Sequence, residues 1–197
     1  MEYPPDQRLT YAELEAQVRG ELASVAQPTV LVAESFSGPI AISIASDPPD
    51  SLIGLVLVAT FATPPRSPWL RLLVGRHLFW LPPPSAIVRG FLLDARASDE
   101  DVREVVAAVR LTAPRVLAHR ARCTLSADVG EMLQRIEIPI LCIEASRDRL
   151  LVEPRALSRH RPDLRWHTVD APHLVLKSNP REAAAAVAGF MARSASS

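Results

Sequence analysis

TVLVAESFSGP, residues 29–39, decides how the rest of the chain is read. Thr29 to Ala33 are all apolar or β-branched, a run of strand length. Glu34-Ser35-Phe36-Ser37-Gly38 follow at once. Pro39 suits the first turn of a helix, where a missing N–H costs nothing. A short apolar strand that passes through small-x-Ser-x-small into a helix has the form of a nucleophile elbow. The turn is sharp, so the side chains two before and two after the serine must be small, and Ala33 and Ser37 meet that need. Ser35 is then expected at the carboxyl end of its strand, with its hydroxyl aimed at a cleft. The same letters also fit a buried strand followed by an ordinary capped helix. The segments on either side decide between the two.

Upstream, Tyr3-Pro4-Pro5-Asp6 reads as extended chain. Thr10 and Glu13 form a T-x-x-E capping box. Tyr11, Leu14, Val18, Leu22 and Val25 recur at helical spacing and predict an amphipathic helix over residues 11–26. Downstream of the elbow a helix is expected to residue 45, broken by Asp47-Pro48-Pro49-Asp50. LIGLVLVA, residues 52–59, is apolar at consecutive positions, as in a strand covered on both faces. PILCIE, residues 139–144, and LRWHTV, residues 164–169, are two further strands. Helices are predicted over residues 154–161 and 180–192, and the final SASS reads as a frayed tail. Strands alternating with helices predict an α/β fold of three layers around a mostly parallel sheet.

Residues 64–136 interrupt that alternation without a convincing strand and predict a helical cap inserted into a single domain spanning residues 1–197. WLRLLVGRHLFWL, residues 69–81, reads as its first helix, and residues 85–95, 112–122 and 127–136 as others. Ser98 caps a further helix whose first turn carries Asp99, Glu100 and Asp101, where the helix dipole favours acids. Trp69, Leu72, Leu73, Leu78, Phe79 and Trp80 are expected to pack mostly on the main domain, with a role in lining an apolar pocket as the alternative. Only Arg71, Arg76 and His77 accompany them, weak support for a membrane-surface helix.

Composition narrows the partners. With 22 basic and 22 acidic residues the formal net charge is zero, which offers no footprint for nucleic acid. Lys177 is the single lysine among the basic residues; the arginine, alanine and 18 prolines suggest a GC-rich bacterial gene. Cys123 and Cys142 provide neither a disulfide framework nor a metal spacing, and Cys142 reads as core. The N-terminus has no signal pattern, and the apolar stretch at residues 52–62 is too short to span a bilayer. The expectation is a soluble, cytoplasmic protein with no metal and no organic cofactor.

In a parallel sheet reacting groups gather beyond the carboxyl ends of the strands. That rule selects Ser35 after the first strand, Asp148 after the third and His173 after the fourth. A serine needs a base to take its proton, and the base needs a carboxylate to hold its tautomer. Asp170 is a second carboxylate near His173, expected to form the turn before Pro172. His77, His119, His160 and His167 are expected to be structural or solvated, Ser37 a packing residue, and Glu34 an exposed turn carboxylate.

LVAESFSGPIAI, IPILCIEASRDRLL and DAPHLVLKSNP, in that order, resemble the nucleophile, acid and histidine segments of the α/β-hydrolase fold family. The resemblance covers most of that fold, from the helix before the nucleophile strand to the C-terminus. It implies nucleophile Ser35, acid Asp148, base His173 and an oxyanion donor in the Phe36 N–H. The chain departs from the family pattern at Ala33 and Ser37, where glycines are usual, and at Glu34, where histidine is frequent. The function implied is hydrolysis of a small carboxylic ester through an acyl-serine, with acyl transfer using the same residues. The alternative is a non-catalytic relative that binds an apolar ligand or a protein partner. The family's second oxyanion donor comes from a loop upstream of the stretch present here. The expectation is therefore a sheet reduced on its N-terminal side, in either a shortened hydrolase or one that completes its site differently. With those strands missing, the Ser35 strand is expected at a sheet edge, which predicts a homodimer or larger assembly.

Overall fold

The computed structural model describes residues 2–64, 83–151, 153 and 155–194. Strands β1 (Thr29–Glu34), β2 (Leu52–Val58), β3 (Ile140–Ala145) and β4 (Arg165–Val169) form one sheet in the order β1-β2-β3-β4. All neighbours are parallel, with Ala33 level with Leu57, Leu57 with Cys142, and Cys142 with Trp166. β1 lies at one edge, as its sequence context predicts.

Successive residues of a strand face opposite sides of the sheet. Leu55 and Leu57 of β2 and Ile140 and Cys142 of β3 enter one apolar cluster. That cluster also holds Leu14, Val18 and Leu22 of helix α1 (Tyr11–Leu22) and Ile40 and Ile44 of α2 (Gly38–Ser46). Val56, Val58, Leu141 and Ile143 face the other way, against Ala183 and Phe190 of the C-terminal helix (Pro180–Ser194). A sheet built in sequential order by right-handed crossovers puts its connecting helices on one face. The opposite face is then open until the C-terminal helix closes it, which completes three layers. Burying each Leu or Ile this way is worth about 1.5–3 kcal/mol. Cys142 is fully buried, and burial pushes its thiol up to about 12, so it serves as core.

The insertion is helical where it is described. α3 (Ser85–Ile87) runs into a wider turn, Val88–Leu92, closed by the Leu93 N–H on the Val88 carbonyl. α4 (Asp99–Leu111) begins at a capping box between Ser98 and Asp101. α5 (Pro114–Ser126) and α6 (Gly130–Arg135) follow. Val88, Leu93, Val102 and Val105 make a small cluster of their own, while Leu133 of α6 joins the main core. The expected helix over residues 69–81 and His77 lie outside the described residues.

Three expectations change. α1 stops at Leu22, where the Ser24 and Val25 N–H groups turn to the Glu21 and Leu22 carbonyls; Val25, counted in the periodicity, is exposed and rewards no further turn. Where a helix is expected over residues 154–161, the described residues 155–161 contain only a 3-10 turn, Ala156–Arg159, anchored by buried Leu157; one apolar anchor rewards no longer helix. A short helix that the spacing missed, α7 (Val175–Ser178), lies between His173 and the C-terminal helix, α8.

Candidate active site

The turn after β1 places Ser35 in the left-handed region, at φ 54°. A side chain there is strained, so surrounding contacts must hold it. Ser35, Phe36 and Ser37 form one 3-10 turn that runs directly into α2. The Thr60 hydroxyl donates to the Ser35 carbonyl at 2.6 Å. Thr60 follows Ala59, the other non-glycine residue at positive φ among those described, which leaves β2 level with the elbow. Gly38 completes the device: an added Cβ there would run into the Thr60 side chain. The demand for glycine thus falls one position beyond Ser37, where the familiar pattern places it. Ala33 is buried, in keeping with the small residue expected before the serine.

Ser35, His173 and Asp148 meet although they lie far apart in the chain. Ser35 Oγ lies 2.7 Å from His173 Nε2, and His173 Nδ1 lies 2.8 Å from Asp148 Oδ2. The His173 and Asp148 side chains are each 1% exposed, so water does not compete for these bonds. A carboxylate only accepts, so the shared proton sits on Nδ1 and Nε2 is left to accept from the serine hydroxyl. The other oxygen of Asp148 accepts from the N–H groups of Leu150, at 2.8 Å, and Leu151, at 3.0 Å. Such a line can draw the proton from Ser35 and hold it on a buried imidazole.

Asp170 turns elsewhere, to Arg147, Arg96 and the Ser146 hydroxyl. His119 lies beside Cys123 on α5, and His167 is half-exposed, 4.0 Å from Glu182. Ser37 is small, as expected, but its hydroxyl also accepts from the Tyr3 hydroxyl at 3.1 Å. Glu34 corrects the expectation of an exposed carboxylate. It is half-buried, accepts from the Leu176 N–H at 3.0 Å, and is raised above the ordinary carboxyl range by burial, His173 and Asp148 being its ionisable neighbours.

The Phe36 N–H, in the first turn of its helix, has no intrahelical partner to satisfy it. Its ring is held by aromatic neighbours, stacked on Tyr11 at 4.9 Å and edge-on to Tyr3 at 6.0 Å. Tyr3 is in turn covered by the Arg120 guanidinium, which donates to the Pro4 carbonyl at 3.0 Å. The chemistry-bearing segments are also tied to the insertion. Leu174 N–H donates to the Leu92 carbonyl at 3.0 Å, Arg147 pairs with Asp94, and Lys177 pairs with Asp101 and Glu104. Among the described residues no His, Cys, Asp or Glu group could hold a metal ion, and no helix is long and apolar enough to cross a membrane.

The family model described as serine aminopeptidase, S33, matches residues 11–162. A bromoperoxidase from Bacillus anthracis has the same fold with a TM-score of 0.80 at 15% identity, over 96% of this chain and 76% of its own. A carboxylesterase structure from the thaumarchaeon Nitrososphaera gargenis has a TM-score of 0.77 at 14% identity, over 95% and 74%. A hydrolase from Pseudomonas aeruginosa has a TM-score of 0.73 at 21% identity, over 96% and 74%. At such identities the likeness speaks to the fold, and the chain spans about three quarters of each structure's length. No curated protein matches the sequence.

Proposed function

Because the chain belongs to the serine aminopeptidase, S33, family of α/β-hydrolases, we propose that it is a serine hydrolase of small carboxylic esters. The observation that carries this reading is the hydrogen-bonded line from Ser35 through His173 to Asp148. Ser35 Oγ attacks the ester carbonyl carbon while His173 Nε2 takes its proton. Asp148 holds the imidazolium that forms. The Phe36 N–H donates to the oxygen of the tetrahedral intermediate. Collapse breaks the bond to the alcohol, which leaves with the proton from Nε2, and acyl-Ser35 remains. Water then attacks the acyl carbon as His173 takes its proton; His173 returns that proton to Ser35 Oγ as the acyl bond breaks and the acid departs. Residues 64–136 act as the cap in this reading. Buried Phe61, Ala127 and Leu151, packed with Tyr11, join that insertion to the main domain beyond the strand ends.

One observation favours a second reading, a relative that binds an apolar ligand without turning it over. The Tyr3 hydroxyl reaches the elbow at Ser37, and Pro4 and Pro5 next to it in the chain have no N–H to offer an oxyanion. Treatment with a serine-directed fluorophosphonate separates the two. The enzyme is expected to label at Ser35 and to hydrolyse p-nitrophenyl acetate, and Ser35→Ala is expected to lose both. An unlabelled wild-type protein would leave only the binding reading.

A further inference from the structure

We infer that Glu34 is a positioning residue whose carboxylate ties the loop bearing His173 to the turn bearing Ser35. The inference rests on the roles proposed above for those two residues. Glu34 is the last residue of β1 and is paired in register with Val58 of β2, so its backbone is fixed by the sheet. Its side chain reaches forward to the segment after His173. There Oε1 accepts from the Leu176 N–H at 3.0 Å, with the Val175 N–H beside it.

That segment needs an outside anchor. α7 has four residues, Val175–Ser178, too few to be stable alone, and the N–H groups of a first turn have no partner within the helix. Several attachments locate His173, among them buried Val175 in the core and the Lys177 ion pairs to α4. Asp148 holds its Nδ1, the Leu92 carbonyl holds the Leu174 N–H, and Glu34 holds the Leu176 N–H. Of these, Glu34 alone is covalently next to Ser35. It therefore sets the separation of Nε2 from Oγ most directly. The ionisable groups that face the carboxyl are His173 and Asp148. When Ser35 gives up its proton, an anionic Glu34 lies beside the imidazolium and favours it, a second effect that a mere helix cap would lack.

Hydrogen exchange and kinetics on Glu34→Ala and Glu34→Gln test both parts. Glutamine keeps an acceptor oxygen and loses the charge; alanine loses both. The Leu176 amide is expected to exchange faster in Glu34→Ala and to stay protected in Glu34→Gln. On p-nitrophenyl acetate, Glu34→Ala is expected to lower kcat by about 10- to 100-fold with little change in KM, the scale of a slight misplacement of a reacting group. Glu34→Gln is expected to recover most of that loss. Its acid limb in kcat/KM against pH is expected to move to lower pH, because the anion that favours the protonated imidazole is gone. Unchanged Leu176 exchange in Glu34→Ala, or wild-type kcat in that variant, overturns the inference. So does a Glu34→Gln variant as slow as Glu34→Ala. A wild-type protein that neither labels nor turns over ester defeats the hydrolase reading instead, and the Leu176 exchange still decides whether Glu34 anchors the loop.

Discussion

The strand-end cluster and the inserted helices are held by different forces. Ser35, Asp148 and His173 sit on turns that leave a sheet packed with apolar side chains on both faces. Their own bonds are shielded from water, and Thr60, Gly38 and Glu34 brace the same few atoms. The inserted residues 85–111 have a small apolar cluster and are tied to the strand ends largely by ion pairs and single backbone bonds, whereas Leu133 and Ile136 further along join the main core. Burial makes geometry rigid, whereas solvated charges hold loosely and exchange partners.

The largest effects are expected at the buried line of Ser35, His173 and Asp148. Ser35→Ala, His173→Ala or Asp148→Asn is expected to lower ester turnover by roughly 10⁴-fold or more, with little change in melting temperature. Turnover measured on purified variants would contradict the acyl-serine route if Ser35→Ala kept wild-type rates. Next in size is the sheet that carries the line. Leu57→Ala, in the buried strand β2, is expected to cost about 2–5 kcal/mol by denaturant unfolding. Gly38→Ala forces the Thr60 side chain aside and is expected to cost about 1–3 kcal/mol as overpacking. Gly38→Ala combined with Thr60→Ala, which removes the oxygen the new Cβ would meet, should cost less than the two single losses summed, and a strictly additive loss would count against this contact.

Burial raises the Glu34 carboxyl. Such a group contributes stability that is fully present below its unfolded pKa and is lost as pH rises through the higher folded pKa. Glu34→Gln escapes that loss, so its unfolding midpoint should gain on wild type between acid and neutral pH; parallel curves would refute the direction. Smallest is the ion pair of the insertion. Lys177→Met is expected to shift the melting temperature by about 2 °C or less at low salt, and by nothing at about 1 M salt, where screening is nearly complete.

Much of this was legible in the residue order. The consecutive apolar letters of LIGLVLVA and PILCIE mark strands covered on both faces, and they are buried as that pattern requires. Thr10 with Glu13 and Ser98 with Asp101 announce their helix starts, because a capping box is a local exchange of bonds. The strand-end rule brings Ser35, Asp148 and His173 to one place before any contact is known, since a parallel sheet has only one carboxyl edge. Even the surplus carboxylate Asp170 was set apart from Asp148 by its position before Pro172.

What the order of letters determined was therefore whatever depends on neighbours in the chain or on the repeat of a strand or helix. Only the tertiary structure decided the partners that come from distant segments. Thr60 on the Ser35 carbonyl, the glycine needed at 38, and Glu34 reaching Leu176 join residues 25, 22 and 142 positions apart, counting the Gly38 approach from Thr60. No periodicity records such pairs. A side chain like that of Glu34 is an exposed acid or a buried anchor according to what packs beside it, and packing is settled when the sheet brings its strand ends together.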